Sequence, residues 1–163
     1  MFTKLILKLS ETENMSYQMA SLFHGVLMEI ISPGYASELH LSQLHPYTQH
    51  LEKNENEWFW IITTLDERAR HEIIDKIVSE VSDIYLSKKQ INIKILEKTC
   101  VELSNREIAG KFYKEIPNKY VSIQFVTPTA FKSNGNYINY PDIRYIYKNL
   151  IKMCIRDSYA VYV

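Results

Sequence analysis

The spacing of apolar residues changes several times along the first 99 residues, and these changes restrict the folds that the chain can adopt. Apolar residues recur at every second position in residues 2–9, but at every third or fourth position in residues 19–31. The first spacing is typical of a half-buried strand and the second of an amphipathic helix. Short polar or helix-breaking runs, Ser-Pro-Gly at 32–34 and EKNENE at 52–57, separate such segments.

The main predicted segments follow the order strand, helix, strand, strand, helix, strand. The strands are predicted at residues 2–9, 45–51, 58–65 and 91–98, and the helices at 17–31 and 66–81, with a short helical piece at about 35–41. This order belongs to the split βαβ unit, an antiparallel sheet with two helices on one face. The sequence therefore predicts an α+β fold with a complete ferredoxin-like (βαββαβ) domain over residues 1–99.

A second unit of the same kind is predicted to begin further along the chain. Residues 100–118 are expected to form a helical linker, after which YVSIQFVT starts a new strand. Asn134-Gly135 is a hairpin turn signal, and Pro141 is typical of a helix start. Residues 119–152 are therefore predicted to be the start of a second, truncated ferredoxin-like domain in tandem with the first.

Charge is divided unevenly along a chain whose net charge is zero. Residues 1–80 carry 6 Lys and Arg against 12 Asp and Glu, whereas residues 81–163 carry 13 against 7. This division favours an anionic partner on the second half, although an unevenly composed solvated surface would look the same. The two cysteines lack metal-type spacing, and neither a signal peptide nor a membrane-length apolar run is recognised, so a cytoplasmic protein without membrane contact is expected.

The stretch LHLSQLHPYTQH, residues 39–50, holds three of the five histidines. The spacing of five between His40, His45 and His50 matches neither a helical ligand pair nor the usual zinc patterns, so no metal and no cofactor are predicted. Acid–base chemistry and a chance cluster on a polar connection remain as alternatives. His50 and His71 are predicted to be ordinary surface residues. His24, on the first helix, is predicted to be structural.

The aromatic run WFWII at residues 58–62 allows two interpretations. On a sheet face, aromatic side chains can stack on RNA bases. However, Trp58 and Trp60 share one face of the strand, and a sheet covered by helices on one face buries one set in either case. The core interpretation is therefore preferred.

Three stretches, in this order, resemble a known family: SLFHGVLMEII, the Leu39-His40 pair, and VSIQFVTPTAFKSNGNYINYPDIRYIYKNLI. They are similar to the CRISPR-associated endoribonuclease that processes precursor CRISPR RNA, a member of the RAMP superfamily. Within it, the version that accompanies type III effector complexes looks nearest. The resemblance covers residues 1–152. It implies a metal-independent RNase that cuts CRISPR repeat RNA by attack of the 2′-hydroxyl, which leaves a 2′,3′-cyclic phosphate and a 5′-hydroxyl.

The resemblance also implies site residues. His40 occupies the position of the family's catalytic histidine, after the first helix, and is expected to be the principal general acid or base. His45 lies where some members have a lysine and is a secondary candidate, with His24 as a backup. Met28 stands where some members have a catalytic tyrosine. Apart from the resemblance, Lys132, Asn134 and Arg144 in the second unit are candidates for binding RNA phosphates, and a solvated hairpin is the alternative.

The resemblance names the partners and leaves alternatives of other classes open. It implies CRISPR repeat RNA as the partner, with association with a type III effector complex and a homodimer as further options. One alternative is a non-cleaving RNA-binding RAMP subunit of a CRISPR effector complex. Another is an unrelated ferredoxin-like regulatory domain that binds a small molecule and no RNA, since this fold hosts many functions.

Residues 153–163 do not continue the preceding pattern. Their start, MCIRDS, resembles the in-frame translation of a transposase adapter used in sequencing libraries. The native sequence is therefore expected to end near Lys152, with 153–163 as a non-native tail and the second domain left unfinished. The alternative is a genuine short strand, because YAVYV has high β propensity. On the first interpretation, this chain is expected to cleave RNA poorly or to be inactive.

Overall fold

The computed structural model describes residues 2–11, 15–42, 45–104, 106–107, 110, 124, 131–133, 136–138, 140 and 142–147. The chain divides into two compact units, residues 1–110 and residues 111–163. Among the described residues, no helix combines the length and the apolar character needed to cross a membrane.

The first unit is built on a five-stranded antiparallel sheet in the order β2-β3-β1-β5-β4. The strands are β1 (Phe2–Leu9), β2 (Tyr47–Asn54), β3 (Glu57–Thr64), β4 (Asp83–Leu86) and β5 (Ile91–Leu103). Strand β1 lies at the centre because its alternate residues Leu5, Leu7 and Leu9 all enter the core. The predicted α+β class and the ferredoxin-like strand order are confirmed, with β5 as the fourth strand of the motif.

Strand β4 adds an edge that the sequence analysis did not predict. It is only four residues long, and Ile84 and Leu86 are its buried positions. It forms a hairpin with β5 through a tight turn in which Gln90 takes a left-handed backbone with a φ of 54°. Two buried aliphatic residues on either side of one exposed tyrosine are too short a pattern to indicate a strand on their own.

Three helical regions cover one face of the sheet. After a 3₁₀ turn at Tyr17–Met19 come α1 (Ala20–Ile30) and α2 (Pro33–Leu41); the third region consists of α3 (Glu67–Ala69), a π-helical stretch (Arg70–Asp75) and α4 (Lys76–Glu80). Asp66 caps α3, as predicted, because its Oδ1 accepts a 2.7 Å hydrogen bond from the backbone N–H of Ala69.

The core interpretation of the aromatic run is confirmed on the helix-facing side of β3. Trp60 is fully buried, opposite Leu7 on β1 and Leu51 on β2, and Trp58 packs against the same core. The indole N–H of Trp60 donates to Oε1 of Gln49 at 2.8 Å. The amide nitrogen of Gln49 in turn donates to the carbonyl of Ala20 at 3.0 Å, which ties α1 to the sheet.

The prediction of a helical linker from residue 100 is wrong for its first residues. Strand β5 continues to Leu103, where it pairs with Phe2 at the start of β1, and Cys100 pairs with Leu5. These residues form a strand because they continue the hydrogen-bonded pairing of β5 with β1 as far as the first residue of β1. Residues 106–107 and 110 are helical, and residues 111–118 lie outside the described part of the chain. The domain boundaries themselves stay predictions.

The second unit contains a short hairpin and a short helix in its described residues. Strands β6 (Phe131–Ser133) and β7 (Asn136–Ile138) are antiparallel, with Ser133 opposite Asn136, so the hairpin predicted at Asn134-Gly135 is confirmed. Residues 143–147 form the helix predicted after Pro141. The strand expected at YVSIQFVT, except for residue 124, and the tail at 153–163 lie outside the described residues.

Candidate catalytic site

Helix α1 presents His24 towards strand β2. Phe23 and Leu27 on this helix are fully buried, and His24, next to Phe23, is half-buried at the edge of the same interface. Its Nε2 lies 3.0 Å from the hydroxyl oxygen of Tyr47. The two rings are stacked, with centroids 6.4 Å apart and planes 20° apart.

Tyr47 is the first residue of β2 and is almost fully buried, with 6% of its surface exposed. It lies opposite Thr64 at the end of β3, and the next backbone contact, from the N–H of Leu65 to the carbonyl of Pro46, is 2.8 Å long. The sequence analysis did not single out Tyr47. Its alternation with Gln49 and Leu51 could have predicted its burial, but the contact with His24 depends on how α1 packs beside β2.

Helix α2 positions His40 in its last turn. Ser32 caps the helix, since its hydroxyl accepts from the backbone N–H of Tyr35 at 3.4 Å. Tyr35 and Leu39, four residues apart, are buried and fix the inward face. His40, one residue after Leu39, therefore lies on the exposed side of the helix.

His45 lies in the connection between α2 and β2 and is exposed. Its ring meets the ring of Tyr47 edge to face, with centroids 6.0 Å apart and planes 83° apart. Tyr47 therefore contacts both His24, from α1, and His45, from the connection.

Electrostatics link His40 to the same group. Burial lowers the pKa of His24, and the charges of His45 and His40 lower it further. Burial also raises the pKa of Tyr47, which keeps its hydroxyl protonated at neutral pH. His24, His40, His45 and Tyr47, which come from four successive segments, thus form one group, called the histidine cluster below.

The other two histidines lie away from this cluster. His50 is exposed and alternates with the inward residues of β2, so it lies on the opposite face of the strand from Tyr47. Its Nε2 is 3.7 Å from Oε2 of Glu52. His71, on the π-helical stretch, is exposed and lies 3.3 Å from Asp75. Both positions agree with the prediction that these are surface residues.

Four other positions that were named from the sequence are described only in part. Met28, which stands where some family members have a tyrosine, packs against the core. Lys132 lies in strand β6, and Asn134 lies outside the described residues. Arg144 is exposed and forms a bidentate ion pair with Asp142, with Nε–Oδ1 and Nη2–Oδ2 distances of 3.1 and 2.7 Å. RNA binding by these residues stays a prediction.

The histidine cluster is suited to proton transfer near neutral pH. A neutral imidazole can accept a proton and an imidazolium can donate one, so two histidines can serve both ends of a phosphoryl transfer. Within the part of the chain that the structure describes, no group of three or more His, Cys, Asp or Glu side chains is arranged to hold a metal ion.

The chain is similar in sequence to proteins of known name. No family model matches the chain. The chain is 31% identical over 129 residues to the CRISPR-associated endoribonuclease Cas6 of Mycobacterium tuberculosis, which covers 78% of the chain and 41% of that protein. It is 30% identical over 155 residues to the Cas6 endoribonuclease of Streptococcus thermophilus, which covers 91% of the chain and 60% of that protein. The chain therefore spans about half the length of these relatives.

Solved structures agree at the level of the fold. Two Cas6 product complexes each match 93% of the chain with a TM-score of 0.63, at 15% and 21% sequence identity, and the match covers 61% and 64% of those chains. The sequence similarity and the shared fold together lead to one conclusion. Over the part that it shares with these relatives, the chain is similar in sequence and in fold to the CRISPR-associated endoribonucleases named Cas6.

Proposed function

We propose that this chain carries the catalytic side chains of an endoribonuclease that cuts CRISPR repeat RNA in a precursor transcript. The observation that supports the proposal is the histidine cluster, in which Tyr47 contacts both His24 and His45 and the charge of His40 acts on His24. The relatives at 30–31% identity are named CRISPR-associated endoribonucleases, which supports the same activity.

The proposed reaction uses the RNA's own 2′-hydroxyl as the nucleophile. One imidazole takes the proton of this hydroxyl as the new bond between O2′ and phosphorus forms. The bond between phosphorus and O5′ breaks, and an imidazolium gives its proton to the departing O5′. The products are a 2′,3′-cyclic phosphate and a 5′-hydroxyl. We assign His40 as the principal group, with His45 as its partner, because the side chains of both are exposed to solvent, where an RNA can reach them.

The proposal requires no metal ion in the chemical step, and this gives its test. The chain, extended from the source locus to the length of its relatives, is incubated with the repeat RNA of that locus in excess EDTA, and product ends are identified by treatment with a phosphatase that opens cyclic phosphates. All cleavage assays use this extended version. We expect cleavage at one site with a 2′,3′-cyclic end. RNA that binds but stays intact would contradict the proposal and favour a non-cleaving RNA-binding subunit. Loss of cleavage only when EDTA is added would contradict the metal-independent mechanism.

The partner proposals rest on the resemblance and on charge. The excess of Lys and Arg in residues 81–163 supports RNA binding by the second half, with affinity that falls as salt is raised. The same proposal includes RNA contacts by Lys132, Asn134 and Arg144 and a cytoplasmic location. It also includes association with a type III effector complex and formation of a homodimer. Copurification with effector subunits and light scattering of the purified chain test the last two.

A further inference from the structure

The hydroxyl of Tyr47 is in an unusual position for a group next to catalytic histidines. Tyr47 is nearly fully buried, and a buried hydroxyl needs an acceptor for its proton. Among the residues that the structure describes, the hydrogen-bond partner of this hydroxyl is Nε2 of His24, at 3.0 Å. Because a buried hydroxyl needs an acceptor for its own proton and His24 is the partner within reach among the described residues, we assign the hydroxyl of Tyr47 as the donor.

This contact selects one form of the His24 ring. If the hydroxyl of Tyr47 donates, Nε2 of His24 must accept, so a neutral ring carries its proton on Nδ1. Protonation of His24 would place a hydrogen on Nε2 as well. The hydroxyl of Tyr47 would then have to accept, and its own proton would lose its acceptor in a buried position.

The charged groups that act on His24 favour the same neutral form. The charges of His45, in the connection, and of His40, on α2, both act on His24, and either one, when protonated, repels a positive charge on His24. Tyr47 faces it from β2 and supplies a proton rather than a negative charge. No carboxylate is among the charges that shift the pKa of His24.

We infer that Tyr47 is a positioning residue that holds His24 neutral with its proton on Nδ1. His24 then serves the scissile phosphate as a hydrogen-bond donor and leaves the two proton transfers to His40 and His45. This inference deepens the proposed function and rests on it for the role of the phosphate. The tautomer of His24 is a property of the free protein and can be measured without RNA.

The first experiment is nitrogen-15 NMR of the histidine side chains in the purified chain, with Tyr47→Phe as the test variant. In the unmodified chain, we expect the Nε2 shift of His24 to be that of an unprotonated acceptor and the Nδ1 shift to be that of an N–H. In Tyr47→Phe, which keeps the stacked ring, we expect a mixture of tautomers and a higher pKa for His24. An unchanged tautomer and an unchanged pKa in Tyr47→Phe would overturn the inference, whether or not the chain cleaves RNA.

The second experiment compares His24→Gln with His24→Ala in single-turnover cleavage. Glutamine retains an N–H donor but cannot act as an acid or base, so we expect it to keep more activity than alanine. We expect Tyr47→Phe to lower the rate about tenfold, which corresponds to one net hydrogen bond, and to move the pH–rate profile. Equal loss in the glutamine and alanine variants would assign His24 to proton transfer and overturn its role as a donor. Thermal unfolding of each variant identifies losses that come from misfolding.

Discussion

His45 and His50 lie five residues apart in the same stretch of sequence, but the structure gives them different surroundings. His45 contacts the ring of Tyr47, whereas His50 projects from the opposite face of β2, where its Nε2 lies 3.7 Å from Oε2 of Glu52. In contrast, His24, which lies far away in the sequence, joins the cluster through Tyr47. The pleat of one strand therefore separates two histidines that the sequence brings together, and helix packing brings in a third.

The largest effect is expected from removing the residue on which the cluster is assembled. Tyr47→Ala deletes a buried ring and should lower the free energy of unfolding by about 3–5 kcal/mol, the usual range for a large aromatic side chain in a core. His50→Ala, on the other face of the same strand, is the matched control and should stay within about 0.5 kcal/mol. Urea denaturation of both variants tests this. An equal loss of unfolding free energy in the two variants would show that Tyr47 and His50 do not differ in burial.

The next effect concerns catalysis and not stability. His40→Ala should lower the single-turnover cleavage rate by roughly 10²-fold or more, since it removes acid–base catalysis, while RNA binding persists. His50→Ala changes the same residue type outside the cluster and should cleave at the unmodified rate. Full activity in His40→Ala would move the assignment to His45 or His24. A large loss in His50→Ala would mean that the outer face of β2 also meets the RNA.

A smaller effect is expected from the pH dependence of stability. The pKa of His24 is lowered in the folded state from 6.5, so the unfolded chain takes up this proton at a higher pH than the folded chain does. The contribution of His24 is therefore complete above about pH 6.5 and declines as the pH falls towards its lowered pKa. Denaturation at pH 7.5 and at pH 5.5 should show a steeper decline in the unmodified chain than in His24→Gln. The same decline in both would argue against a neutral His24.

The smallest effect is expected from the ion pair on the outer face of β2. His50 and Glu52 are both more than half exposed, and Nε2 of His50 lies 3.7 Å from Oε2 of Glu52. Such pairs typically contribute less than about 1 kcal/mol because water and salt screen them. Glu52→Gln should therefore change the unfolding free energy by a few tenths of a kcal/mol at most, and the change should shrink further in high salt. A loss above about 1 kcal/mol would mean that this face is shielded from solvent.

The elements of the first unit could be predicted from the sequence where a long periodic pattern and a clear stop occur together. Strand β1, with three buried leucines at alternate positions, and helix α1, with Phe23 and Leu27 one turn apart, are of this kind. The end of β5 could not be predicted, because residues 100–103 carry no strong alternation and are held as a strand by pairing with β1. Tertiary pairing overrides a weak local pattern here.

The site could be predicted only in part. The position of His40 after the first helix was enough to nominate it, through the resemblance and not through any physical pattern. The role of Tyr47 could not be foreseen from the sequence. It depends on a 3.0 Å contact between Tyr47 on a strand and His24 on a helix, and these two residues are 23 positions apart in the sequence. The hydrogen-bond partner of a buried hydroxyl is a property of packing, and the sequence contains no local signal for it.

The π-helical stretch between α3 and α4 has a consequence for how the length of this helix can vary. Its six residues, Arg70–Asp75, include the neighbouring buried residues Ile73 and Ile74, while Ala69 before it and Ile77 after it are also buried. In a regular α-helix, each added or removed residue turns everything beyond it by about 100°. A π-helical turn already holds an extra residue, so loss of one residue here would leave a plain α-helix with the flanking inward faces retained. Chains one residue shorter in this segment are therefore compatible with the same core, whereas a deletion elsewhere in the helix would rotate its apolar side into solvent.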